Sequence, residues 1–161
     1  MATSAISYSG WTSIAATSWT TTLAGGEIAT SALVDNSSNL YQEVLISGSI
    51  NFGASHVDGD TCVLYLLSNY DDATTTDESG GIGTDINAGD SEQTAGTNIT
   101  LRNTRLIGVV TADAASTVQH FEFKLPYVPR NWQIAIENTD ASAALGGVAT
   151  LGYLGIKYTS A

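Results

Sequence analysis

From Leu40 to Phe52 the chain reads LYQEVLISGSINF, with Leu40, Val44, Ile46, Ile50 and Phe52 at even positions and Glu43, Ser47, Ser49 and Asn51 at odd ones. A period of two puts successive side chains on opposite faces of a strand, so this stretch predicts a half-buried β-strand. Gly48 within it predicts a bulge or a point of close packing. Tyr41 and Leu45 break the alternation, which predicts partial cover on the outer face. Apolar residues at helical spacing are hard to find anywhere, and the threonines and 16 glycines suit strands and turns. The chain therefore reads as all-β.

The rest of the chain repeats the pattern. Residues 28–34 alternate and end in the turn cluster DNSSN (35–39). TCVLYLLS (61–68) is apolar on both sides, as a strand in the middle of a sandwich is. Further strands are predicted in ITLRNTRLIGVV (99–110), TVQHFEFKL (117–125), around Trp132, Ile134 and Ile136, and in VATLGYLGIKYT (148–159), with a possible first strand at 18–24 and a short helical turn at 111–116. Both prolines, Pro126 and Pro129, follow Leu125 closely. Proline fixes φ and removes a ladder donor, so the pair predicts a corner where that strand stops. Seven to eight strands separated by turns give an antiparallel β-sandwich, with the jelly roll as the leading topology. Residues 1–23 read as an N-terminal arm and 24–161 as one domain carrying a long acidic loop at 69–98.

Charge narrows the partners. The formal net charge is −11, and the first basic residue is Arg102. Nucleic-acid binding needs a basic footprint to release counterions, and the same sign disfavours anionic membranes, so neither partner is expected. No stretch approaches the roughly 20 apolar residues of a membrane span, and MATSAISYSGW lacks the basic and apolar regions of a secretion signal. A soluble protein that is not secreted is the expectation. Cys62 is the single cysteine and sits in an apolar run, which reads as a small buried hydrophobe.

Catalytic ingredients are scarce. His56 falls in a turn and His120 on the polar face of a strand, with no ligand-spaced partner, and no nucleophile elbow, P-loop or dinucleotide fingerprint occurs. No catalytic residue, resident metal or cofactor is therefore expected. Asp58/Asp60, Asp71/Asp72 and Asp77/Glu78 form carboxylate pairs without the ordered calcium-loop spacing. Asp71, Asp72, Asp77 and Glu78 read as a solvated acidic loop, the sharper alternative being a divalent cation that orders it. The sequons at Asn36 and Asn98 carry little weight in a chain so rich in Ser and Thr. Tyr8, Trp11 and Trp19 in the arm either fold back onto the sandwich or anchor another subunit, and Tyr41 and Leu45 are further candidates for an outer interface.

The segment from Trp19 to Tyr41, W-T…L-A-x-G-E…S-A-L-V-D-N-S-S-N-L-Y, resembles the start of small structural proteins of tailed bacteriophages. F-E-F (121–123), P-x-x-P-R-N-W-Q-I-A-I-E-N (126–138), A-A-L-G (143–146) and G-Y-L-G-I-K-Y (152–158) are similar to the C-terminal half of those proteins, although P-Y-V-P stands where two adjacent prolines are common. Residues 57–98 share no motif. The resemblance implies a virion protein of the head-decoration (cement) type. Such a protein is made in the host bacterial cytoplasm, sits on the capsid exterior and bridges subunits of the major capsid protein, commonly as a homotrimer. The alternative is a tail or fibre component that binds host-surface glycan, with Tyr70 beside the acidic pair as the candidate contact. A third reading, a glycan hydrolase using an Asp/Glu pair, lacks any pair that spacing can place in a cleft.

Overall fold

The computed structural model describes residues 4–14, 23–69, 92–94 and 104–160. Among them are strands and turns without helix: β1 (Ser4–Tyr8), β2 (Thr12–Ser13), β3 (Glu27–Thr30), β4 (Val34–Asp35), β5 (Glu43–Phe52), β6 (Thr61–Asn69), β7 (Glu92–Thr94), β8 (Thr104–Thr111), β9 (Val118–Leu125), β10 (Asn131–Asn138) and β11 (Leu145–Ser160). One sheet has the order β1-β11-β5-β9, with β2 also on β11, and the other β7-β3-β10-β6-β8, with β4 also on β10. All pairings are antiparallel. The two sheets pack face to face as a β-sandwich. The turn at 111–116 is not helical, and Thr111 still belongs to β8. Of the possible strand at 18–24, only Leu23 and Ala24 are described, and Leu23 makes a single bridge to Leu145.

The alternation in β5 becomes one wall of the core. Val44, Ile46, Ile50 and Phe52 are all fully buried. Register extends this row sideways, because Phe121, Phe123 and Leu125 of β9 sit opposite Gly48, Ile46 and Val44, while Leu151 and Tyr153 of β11 sit opposite Gly48 and Ile46. Cys62, Leu64 and Leu66 of β6 and Trp132, Ile134 and Ile136 of β10 form the facing wall. Trp132 meets Tyr153 edge-on across the gap, ring centroids 5.2 Å apart. Burying one such aliphatic side chain contributes about 1.5–3 kcal/mol relative to leaving it in water. Leu40 does not join the row. It is 57% exposed with φ of 53°, so it belongs to the turn that precedes β5.

Gly48 is a point of close packing. A Cβ there would run into the Thr150 carbonyl oxygen and lie 2.7 Å from Cζ of Phe121. The irregular register lies on the partner strand, between Leu145 and Thr150. β6 runs between β10 and β8. Its inner face of Cys62, Leu64 and Leu66 is buried, while Val63 and Tyr65 on the other face are half-buried, so the cover that its doubly apolar sequence predicts is complete on one face and partial on the other. Leu67 is buried on the face opposite Leu66, in a second cluster with Ile28 and Ala135. The prolines lie where β9 of one sheet gives way to β10 of the other. Burial pushes the Cys62 thiol up to about 12, so it packs as a small hydrophobe.

Gly48→Ala is expected to destabilise the fold by about 1–3 kcal/mol in urea titration, since backbone must yield to admit the methyl group. The Cys62 thiol should stay unreactive to a thiol reagent under native conditions and react only on unfolding, with burst labelling of the native protein as the contrary result.

Candidate functional site

Three places gather chemistry-bearing side chains. The first is the outer face of the β1-β11-β5-β9 sheet. The N-terminal arm folds back and runs antiparallel along β11, pairing Ile6 with Tyr158 and Tyr8 with Ile156. Paired residues share a face, and this one lies opposite the core row of Leu151 and Tyr153. Ile6 (54%), Tyr8 (64%), Trp11 (51%) and Tyr158 (43%) remain exposed on it. Leu45 and Leu154 face each other half-buried on the same surface. The Trp11 indole covers Gly152, where a Cβ would strike it, and Nε1 donates to Ser47 Oγ at 3.2 Å. Trp11 also borders a shallow hollow of about 620 Å³ with His120, Glu122 and Thr150.

One ion pair sits on that face, beside the exposed Glu122. Lys124 Nζ lies 2.8 Å from Glu43 Oε2, and the Tyr158 hydroxyl donates to the same oxygen at 2.7 Å. The hydrogen bond from Lys124, then that from Tyr158, lowers the Glu43 carboxyl below its ordinary 4.5. The same carboxylate raises Lys124 and Tyr158.

The second place is a cleft at the proline corner. Two adjoining cavities of about 510 and 470 Å³ share Tyr41 and Val128. A short turn sets one wall: Asn36 Nδ2 donates to the Tyr41 carbonyl at 3.0 Å, and Asn36 Oδ1 accepts from the Tyr41 N–H at 2.9 Å. That pins Tyr41 over Gly155, where a Cβ would lie 2.5 Å from the ring, and edge-on to Tyr153. Asn36 is 5% exposed and its amide is spent on this turn, so its sequon is not offered to solvent. Pro126 and Tyr127 form the opposite wall, with Tyr127 78% exposed.

The third is a clasp between the loops before β6 and β11. His56 is 1% exposed, and its Nδ1 lies 3.1 Å from Asp60 Oδ2, which also accepts the Val57 N–H at 2.7 Å. Ligand-type atoms of His56, Asp60 and Asp140 all lie within 4.8 Å of one another. Asp140 already accepts the backbone N–H groups of Ser142 and Ala143 and the Ser142 hydroxyl, and the Ser142 contacts, backbone first, depress its carboxyl. His56 also meets Phe52 edge-on at 5.1 Å. This arrangement ties loops together, with its imidazole shut away from solvent.

Tyr8, Trp11 and Leu45, singled out from sequence, therefore share one outer face. Tyr41 does not. It packs against the end of the core, because Gly155 leaves room for its ring. Trp19, Tyr70 and the acidic residues Asp71, Asp72, Asp77 and Glu78 lie outside the described residues. Tyr127 and Tyr158 were not singled out, although the paired prolines around Tyr127 were the available signal. No protein-family model matches the chain, and no curated protein matches it.

Asp35, Glu43 and Asp140 are lowered from ordinary values of 3.8, 4.5 and 3.8. A depressed carboxyl stabilises the fold above its unfolded value and loses that contribution as pH falls through the folded one. Melting temperature should thus hold from neutrality to about pH 5 and drop below about pH 4. Glu43→Gln should shrink the acid drop. Lys124 has the opposite sign, so its contribution persists below its ordinary 10.5 and fades only as pH rises through the raised value.

Proposed function

We propose that this chain is a structural protein of the virion, of the head-decoration type found in tailed bacteriophages. It binds the capsid exterior as a trimer and braces neighbouring major capsid subunits by protein–protein contact. The observation that carries the reading is the exposed face of Ile6, Tyr8, Trp11 and Tyr158 on the sheet built from both chain ends. Aromatic side chains displayed together on a flat sheet face suit a protein interface, where Tyr and Trp anchor binding. Glu43 and Lys124 neutralise each other on this face, which lowers the desolvation cost of covering that part of it.

The strand order supports a jelly roll. With β1 and β2 taken as one strand and β3 and β4 as the next, the sheets run first-eighth-third-sixth and second-seventh-fourth-fifth, with β7 added at an edge. Fold alone does not assign function. The motif residues that resemble phage structural proteins serve the architecture: Asn138 is fully buried, and its Nδ2 donates to the carbonyls of Ala24 at 3.2 Å and Ala143 at 2.7 Å. A scaffold fixed by such clamps and active through its surface requires no reaction centre.

Light scattering of the purified chain should give about 50 kDa, a trimer of the 16.7 kDa chain. Tyr8→Ser with Trp11→Ser should shift the mass to the monomer with an unchanged circular dichroism spectrum, because both side chains are exposed. Immunogold labelling should decorate the heads of particles. Labelling confined to tails would sink the capsid assignment.

A further inference from the structure

Apart from any bracing role, we propose that the cleft at the proline corner binds a neutral oligosaccharide, with Tyr127 as the stacking platform. Pro126 and Pro129 fix φ on either side of the Tyr127–Val128 pair, so the turn that displays the ring has little backbone freedom left to lose on binding. An aromatic ring that is 78% exposed adds nothing to the core. Tyr127 and Tyr158 line the cavity of about 470 Å³, and Tyr41 lines both this one and its neighbour of about 510 Å³, a size and mixed lining suited to a small ligand.

The chemistry of the lining selects the ligand. Tyrosine presents an apolar face and a polar rim, which matches a pyranose ring with its C–H face and hydroxyl edges. Charge is matched too: Glu43 in the lining is neutralised by Lys124 and the Tyr158 hydroxyl. A lining whose carboxylate is already neutralised, on a chain of net −11, favours a neutral ligand over an acidic one. An extended peptide is the poorer occupant. Peptides add to sheets through open backbone edges, whereas the chain that continues β9 at this end carries Pro126 and Pro129, which have no N–H to donate to an added strand. Polar groups are already placed, with Gln42 Oε1 accepting the Tyr158 N–H at 3.0 Å and leaving its amide N–H₂ on an exposed side chain.

Saturation-transfer NMR on the full chain with lactose, maltotriose and tri-N-acetylchitotriose tests this. At least one sugar should show contact signals that weaken at least tenfold in Tyr127→Ala, or about 1.4 kcal/mol of binding. Tyr127→Trp should retain the signal, and Val57→Ser, exposed in the loop before β6, should leave it unchanged. Silence from all three sugars, a signal that survives Tyr127→Ala, or binding of an acidic peptide in their place overturns the proposal. Because Tyr127 is exposed, the variants should fold, and an unchanged melting temperature checks that they do.

Discussion

The structure depends on the register of β5 between β11 and β9. Val44, Ile46, Ile50 and Phe52 form an unbroken buried row, and a slip of one residue would turn them to solvent and bring Glu43, Leu45, Ser47 and Ser49 inside. That penalty far exceeds any local preference, so the row fixes how both neighbours sit. Once β11 is in register, its last residues offer an edge on which the N-terminal arm lies from Ser4 to Tyr8. The outer aromatic face follows from the inner one, because each residue that alternates out of the core must appear on it.

Polar clamps then hold what the strands leave loose. Asn36 closes the turn before β5, Asn138 gathers Ala24 and Ala143, and Ser31 Oγ accepts the Ile134 N–H at 3.0 Å while its carbonyl accepts Gln133 Nε2 at 2.8 Å. Each is a buried or half-buried side chain satisfied by backbone, the arrangement that makes a buried polar group affordable. A carbon isostere at Asn36 or Asn138 would leave several backbone groups unpaired.

Alternation and proline chemistry are local properties, and what they govern was legible. β5, β6, β9 and β10 lie where period-two or doubly apolar runs place them, and Pro126 and Pro129 mark the crossing between sheets. Features made by distant partners were not legible. Tyr41 leaves the outer face because Gly155, more than a hundred residues away, has no side chain. Ala135, which alternation with Ile134 and Ile136 assigns to solvent, is buried on the second sheet's far side against Ile28 and Leu67. The clasp of His56 and Asp60 with Asp140 joins two loops far apart in sequence. Leu40 satisfies the pattern yet turns outward, because a positive φ in the preceding turn takes it off the strand.

The lopsided charge of the sequence becomes an asymmetry between the ends of the sandwich. Among the described residues, Arg105, Lys124, Arg130 and Lys157 all lie toward the end where β9 passes into β10, with only Asp35 and Glu43 as acids beside them. The loops at the other end carry Asp58, Asp60, Asp113 and Asp140 and no base. Antiparallel pairing produces this, since successive loops fall at alternate ends and the late, basic strands deliver their charges to one of them. Among the described residues, the end that gathers the bases is also the one with exposed aromatic rings and open cavities, because Tyr127 and Tyr158 sit where β9 and β11 stop.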